Sequence, residues 1–245
     1  MKIDAMAFGA HPDDVELSCG GTLIKLADMG YTTGVTTLTK AEAGTRGSSE
    51  IRTSEFIRAC EIMSVKVREQ LDIPDANVEV TRANKLKVIR VLRQYRPGII
   101  FVPYWEVRHP DHGYTSTLVK ESAFLAGLKK IDTGQEPFRP NRILFYPSRY
   151  EFKPSFIIDI SECHDRKIEA VMAYKSQFHN PEKSKYGKDE TYISRPGFID
   201  AIINRARQYG AYIGVNYGEP FLIREHLKME DPVKHFGPDS QFSIP

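Results

Sequence analysis

Short apolar and β-branched runs alternate with helical stretches along most of this chain, and that alternation limits its fold more than any other feature. Ile3 to Phe8 reads as a strand and Leu17 to Met29 as a helix closed by Gly30. Thr33 to Leu38 is a second strand, and Glu50 to Met63 carries a helical stripe of Ile51, Phe56, Ile57, Ala59, Cys60 and Met63. A short strand near Val67 to Leu71 precedes a helix from Lys85 to Tyr95, which Pro97-Gly98 stops. Ile99 to Pro103 is unbroken apolar, the signature of a strand buried on both faces. A helix over Thr115 to Lys130, strands at Arg142 to Tyr146 and Ser155 to Ile160, a helix capped by Ser161 and running to about Gln177, and a helix over Ile199 to Tyr209 complete the pattern. Alternation of this kind predicts an α/β fold: a Rossmann-like, mostly parallel sheet with helices on both faces, in a single domain spanning residues 1–245. The polar stretch from Phe178 to Tyr192 reads as a mobile loop or lid, and the chain after Phe221 as an extended tail.

Charge and cysteine usage exclude several functions. Lys plus Arg number 34 and Asp plus Glu 32, so no global field exists for gripping a nucleic-acid backbone. The three cysteines, Cys19, Cys60 and Cys163, form no CxxC pair and fit a reducing compartment. The longest apolar run, Gly98 to Trp105, is far short of a membrane span. The opening MKIDAMAFGAHPDD does not read as a signal peptide, so a cytoplasmic protein is expected. Gly9, Gly20 and Gly21 lack the GxGxxG spacing, and no acid ends the second strand, so dinucleotide binding is rejected.

Two turns carry the chemistry. His11, Asp13 and Asp14 occupy HPDD, between the first strand and the first helix, where open parallel sheets bind their ligands. A helix cap accounts for one of those acids but not for two acids and a histidine. His109 and His112 stand three apart in VRHPDH, beyond the buried strand at Ile99 to Pro103. Together the two turns offer His, Asp and His around one crevice. Imidazole plus carboxylate favours Zn2+, one ion per chain, with Fe2+, Co2+ and Mn2+ remaining open. Three protein ligands leave a coordination position for water, as in a catalytic site. Spacing alone does not choose between His109 and His112 as ligand.

AHPDD followed by HPDH resembles the LmbE-like (PIG-L-like) family of zinc N-deacetylases, which remove acetyl groups from N-acetylglucosamine (GlcNAc) units. The segments Leu38 to Glu55, Arg108 to Gly113, Phe156 to Ser161 and Ile168 to Phe178 resemble the branch of that family that acts on GlcNAc-malate in bacillithiol biosynthesis. The resemblance implies that His11, Asp14 and His112 hold the zinc and that Asp13 is the general base. It implies that His109 stabilises the oxyanion or protonates the leaving amine. It makes Arg52 a substrate contact and Arg108 a mark of the GlcNAc-malate branch. Arg46 frames the same region, and Asp75 is expected against sugar hydroxyls. The substrate implied is a small GlcNAc conjugate, with no nucleic-acid or membrane partner, and the assembly a homo-oligomer of hexameric form.

Overall fold

The computed structural model of the chain describes residues 1–178 and 191–237. The expected lid, 178–192, therefore falls mostly outside the described residues. Five strands, β1 (Ala5–Gly9), β2 (Thr33–Thr37), β3 (Val67–Gln70), β4 (Ile99–Pro103) and β5 (Arg142–Tyr146), form a parallel sheet in the order β3-β2-β1-β4-β5. Strand alternation builds two cores. Ala5 and Ala7 of β1 face one core, which takes in Leu23, Phe56 and Ala170 from α1 (Asp14–Asp28), α2 (Ser49–Ile62) and α5 (His164–Met172). Met6 and Phe8 face the other, with Ile89 and Leu118 from α3 (Arg82–Tyr95) and α4 (Pro110–Ala126). The expected mostly parallel sheet with helices on both faces is what the chain forms. The strand order reverses between β1 and β4, so a crevice opens beyond their carboxyl ends, where the HPDD and HPDH turns lie.

Several boundaries differ from those read in the sequence. Helix α1 starts at Asp14, not Leu17, and α4 starts at Pro110, not Thr115. Pro110 suits the first helical turn, where its missing N–H leaves no helical bond unmade, and the His109 side chain caps the helix by accepting from Asp111 N. At the other end, the buried Arg93 guanidinium donates to the carbonyls of Ala126 and Leu128, and the helix stops four residues early. Ser161 does not cap α5: its hydroxyl accepts from Tyr217 N instead, and Cys163 takes the cap position. The strand expected at Ser155 to Ile160 does not join the parallel sheet. It is β6 (Phe156–Asp159), paired antiparallel with an unforeseen β7 (Gly218–Phe221). Pro220 is tolerated because a two-stranded sheet has only edges. The last helices are α6 (Phe198–Ala211) and α7 (Pro232–Phe236), the latter in the expected tail. No helix among the described residues is long and apolar enough to cross a membrane.

One buried ion pair locks these layers together. Cys19 has φ −134° and ψ 18°, so α1 is two helical pieces in series. The second piece starts with amides that lack helical acceptors. Glu219 of β7 supplies them: one oxygen accepts from Gly21 N at 3.0 Å, the other from Thr22 N at 2.7 Å and Thr22 Oγ1 at 2.6 Å. Lys167 Nζ of α5 completes the set at 2.6 Å, with both charged residues almost wholly buried. A Cβ on Gly21 would stand 3.0 Å from Glu219 Oε1 and 2.8 Å from Ile160 Cδ1, so glycine permits the approach. Replacing Glu219 by Ala leaves the Lys167 ammonium buried without its counterion. A loss of about 3–5 kcal/mol in unfolding free energy is expected. Urea denaturation measures it, and a loss below about 1 kcal/mol would show that the pair is not what joins α1, α5 and β7.

Candidate active site

The HPDD turn is tight and strained. Asp13 adopts φ 101°, a left-handed conformation costly for a residue with a side chain. Asp14 begins α1 and its Oδ2 accepts from His11 N at 2.9 Å, closing the turn. Asp13 stands at the helix cap without making a cap bond. Its carboxylate goes to Arg52 of α2 instead, with Nη2 3.0 Å from Oδ2, and the same Nη2 donates to Pro12 O. Arg52 thus fixes both the side chain and the backbone of the strained turn.

His11, Asp14 and His112 converge. His11 Nδ1 lies 3.3 Å from His112 Nε2, and Asp14 places Oδ1 3.2 Å from His112 Nε2 and Oδ2 3.6 Å from His11 Nδ1. The three donor atoms lie within 4.8 Å of one another and could hold a metal ion. The donor set fits a zinc-type cation: two imidazoles and one carboxylate, each with its other polar atoms accounted for. His11 Nε2 contacts Asp75 Oδ1 at 2.8 Å, and His112 Nδ1 contacts Ser148 Oγ at 3.2 Å. Those outer contacts orient both rings with one nitrogen toward the shared centre. A second set, His11, His109 and Asp111, shares His11. Its atoms are spent elsewhere: Asp111 accepts from Ala76 N at 2.8 Å and Val78 N at 3.3 Å, and His109 Nδ1 accepts from Asp111 N.

Electrostatics separates the two adjacent acids. Burial pushes the Asp13 carboxyl up to about 6, with Arg52 working against the shift. Asp14 is equally buried, yet His112 and His11 hold it well below the usual carboxylate range. Burial disfavours the charged form of His11, but hydrogen bonds to Asp111, Asp14 and Asp75 outweigh it and raise its pKa. Burial opposes ionisation of Asp75 as well, and the His11 contact brings it down to about 2. Burial lowers the His109 pKa, helped by the neighbouring His11 and His112. With its Nδ1 accepting from Asp111 N, neutral His109 carries its proton on Nε2.

A cavity of about 830 Å³ encloses the centre. His11, Asp13, Asp14, Arg52, Asp75, Arg108, His109 and His112 all line it. Of the residues singled out in the sequence as site candidates, Arg46 alone is not brought to the cavity. It is buried, and its Nη1 donates to Gln177 O at 3.3 Å. Asp75 is spent on His11, Ala43 N and Ala76 N rather than standing free for a hydroxyl. Tyr209, Tyr212 and Tyr217 lie off the cavity, with Tyr217 stacked on His164 at 3.6 Å. The sequence reading missed Ser148, Arg149, Tyr192 and Arg205, which also line it. A signal existed for α6: Phe198, Ala201, Ile202, Arg205 and Gln208 fall on one helical face, and two of the five are polar.

The family model for PIG-L, GlcNAc-PI de-N-acetylase, matches residues 6–123. The chain is 33% identical over 183 residues to diacetylchitobiose deacetylase of Thermococcus kodakarensis, covering 69% of this chain and 67% of that protein. It superposes on the crystal structure of the conserved protein TT1542 from Thermus thermophilus with a TM-score of 0.84 and 36% identity, over 93% of this chain and 97% of that one. More distant relatives differ in chemistry. The 4-oxalmesaconate hydratase of Pseudomonas putida is 24% identical, over 71% of this chain and 74% of its own. A probable N-acetyl-alpha-D-glucosaminyl L-malate deacetylase of Bacillus cereus is 25% identical, over 68% and 80%.

The arrangement predicts a graded response of metal affinity. His11→Ala and His112→Ala remove one of three donors, and each should abolish most binding of Zn2+ to the metal-free protein. Asp75→Asn leaves all three donors but loosens the His11 ring, and should weaken binding about 10–100-fold. Calorimetric titration with Zn2+ reads all three. Wild-type affinity in either histidine variant would remove that residue from the donor set.

Proposed function

The chain belongs to the PIG-L family of N-deacetylases, and on that footing we propose that it hydrolyses the N-acetyl group of a GlcNAc conjugate, releasing acetate, with GlcNAc-malate as its substrate. The observation that carries this reading is the donor set of His11, Asp14 and His112 beside a buried acid, Asp13, that stands outside the set and is held by its own arginine. A protein that only bound sugar or metal has no use for that fourth residue in a strained turn.

His11, Asp14 and His112 would hold one zinc ion. When bound, it supplies Lewis acidity, polarising the acetamide carbonyl and making water a better nucleophile near neutral pH. Asp13 takes the proton of the attacking water. Its pKa of about 6 suits a base working at neutral pH, strong enough to accept a proton and still ionised beforehand. His109, neutral with its proton on Nε2, donates a hydrogen bond to the oxygen that gains charge as the carbonyl becomes tetrahedral. Asp13 then returns its proton to the departing nitrogen as the C–N bond breaks, leaving acetic acid and an amine, and the acid's proton passes to the amine to give acetate and ammonium. Arg52 acts through Asp13: its Nη2 holds both the acid and Pro12 O, and the side chain also lines the cavity, where the substrate contact expected of it lies.

The preference for an anionic aglycone rests on Arg108 at the cavity wall, free of any carboxylate partner among the described residues. The Bacillus cereus relative supports GlcNAc-malate, and the Thermococcus relative supports the rival, neutral diacetylchitobiose. Acetate release from the two compounds separates them. We place the reaction in the cytoplasm, in keeping with three buried, unpaired cysteines. The exposed Leu227, Val233 and Phe236 of the tail support a homo-oligomer, hexameric as the resemblance implies. A concentration-independent monomer in light scattering would overturn that assembly.

Base and ligand are separable by mutation. Asp13→Asn should retain zinc and lose about 10²–10⁴-fold in kcat. Arg52→Ala should lower kcat on anionic and neutral substrates alike, since it acts through Asp13. If Asp13→Asn loses its metal under conditions that fully load the wild type, the two neighbouring acids have exchanged roles.

A further inference from the structure

One wall of the cavity gathers cations that form no ion pair with any acid among the described residues. Arg108 precedes the HPDH turn, Arg149 lies in the loop after β5, and Arg205 lies on α6. Arg149 Cζ sits 4.2 Å from the centroid of the Tyr192 ring and Arg108 Cζ 5.7 Å from the same centroid, so one aromatic ring serves two guanidinium groups. Arg205 Nη1 donates to Ser148 O, the residue next to Arg149. Its other nitrogens have no hydrogen-bond partner among the described residues and are not sealed from the cavity. Burial makes the Arg205 charge costly, lowering its pKa. Glu151 is the acid on this wall, and it forms no ion pair with any of the three among the described residues.

We propose that Arg149 and Arg205, with Arg108, form an anion subsite that takes the charged group of the substrate's aglycone, a carboxylate or a phosphate. The proposal rests on the chain being a deacetylase of a GlcNAc conjugate, and it adds two residues that the sequence did not single out. Guanidinium forks match both anions through paired N–H donors. The subsite is rigidly placed relative to the chemistry. Ser148 offers its carbonyl to Arg205, and its hydroxyl lies 3.2 Å from His112 Nδ1, so one residue fixes the spacing between the anion site and a metal ligand. Tyr192 holds the two outer guanidinium groups in place before substrate arrives, which reduces the ordering cost of binding.

The test has two arms. In the first, zinc-loaded wild type, Arg149→Gln, Arg205→Gln and Arg108→Gln are compared on GlcNAc-malate, GlcNAc 1-phosphate and neutral methyl-GlcNAc. Arg205→Gln should lower kcat/KM for the preferred anionic substrate about 10–100-fold, and the more exposed Arg149→Gln about 2–5-fold. Each should depress the anionic substrate more than the neutral one. The malate and phosphate compounds tell which anion the wall accepts. In the second arm, metal-free protein is titrated with L-malate and with inorganic phosphate. Binding by wild type that weakens in both variants supports the subsite independently of turnover. Arg149→Gln, altered at an exposed position, keeps the test decisive if Arg205→Gln fails to fold. Unchanged ratios of anionic to neutral turnover in both variants, with loss only in Arg108→Gln, would overturn the proposal while leaving the GlcNAc-malate reading intact. A wild type that binds either anion through these arginines but releases acetate from no GlcNAc compound would instead sustain the subsite and sink the deacetylase reading.

Discussion

Four carboxylates, Asp13, Asp14, Asp75 and Asp111, crowd around His11 and its neighbours below the protein surface, and the rest of the site is organised to make that concentration of like charge tolerable. Each acid has a separate solution. Asp14 faces two imidazoles, Asp111 takes two backbone amides, and Asp75 is shared between His11 and the amides of Ala43 and Ala76. Asp13 has only Arg52, and so it alone of the four keeps a raised proton affinity. The difference in proton affinity between Asp13 and Asp14 is thus a consequence of what compensates each charge, although the two are adjacent in sequence. Placing Asp14 at the first turn of α1 and Asp111 at that of α4 adds the positive end of a helix to both.

The Glu219–Lys167 pair is the structural counterpart of this arrangement. The HPDD turn needs a helix to start at Asp14, but that helix kinks at Cys19. Without Glu219, the restarted helix would expose unsatisfied amides in the core. A residue near the far end of the chain therefore stabilises the element that presents the first metal-ligand turn. Tyr146 OH donating to Phe8 O at 2.6 Å ties β5 to the end of β1 in the same way. The active-site edge is held from several directions by contacts distant in sequence.

Legibility followed the range of the forces involved. β1, β4 and β5 were readable because strands buried on both faces are mostly apolar, and β2 because Thr and Val are β-branched, both local properties. The HPDD and HPDH turns were readable because each packs its His and Asp residues into a few consecutive positions beyond a strand end. Pro110-Asp111-His112-Gly113 read as part of the HPDH turn, and in the structure it is the first turn of α4, capped by His109. β7 was invisible: Gly218-Glu219-Pro220-Phe221 has no strand propensity, and its pairing with β6 reflects the Glu219 contacts and the burial of Phe221. Arg46, Arg52 and Arg108 stood out by proximity to motifs, yet proximity did not reveal what each guanidinium does. Arg46 turns to Gln177 O, and Arg52 is committed to Asp13.

The same reasoning explains where substrate discrimination must reside. Most side chains of the HPDD and HPDH turns are held by one another or by neighbours: His11 and His112 each use both ring nitrogens, Asp14 faces both imidazoles, and Asp13 Oδ2 meets Arg52. α2 and the turn carrying Asp75 are consumed by supporting them. Much of what remains uncommitted around the cavity comes from the loop following β5 and the inner face of α6, with Arg108 beside the HPDH turn. Those segments meet the donor set through Ser148, so most of their residues can change without disturbing it. An α/β scaffold can in this way take different aglycones by altering the cavity walls around its strand-end turns, in part outside residues 6–123, the stretch matched by the family model.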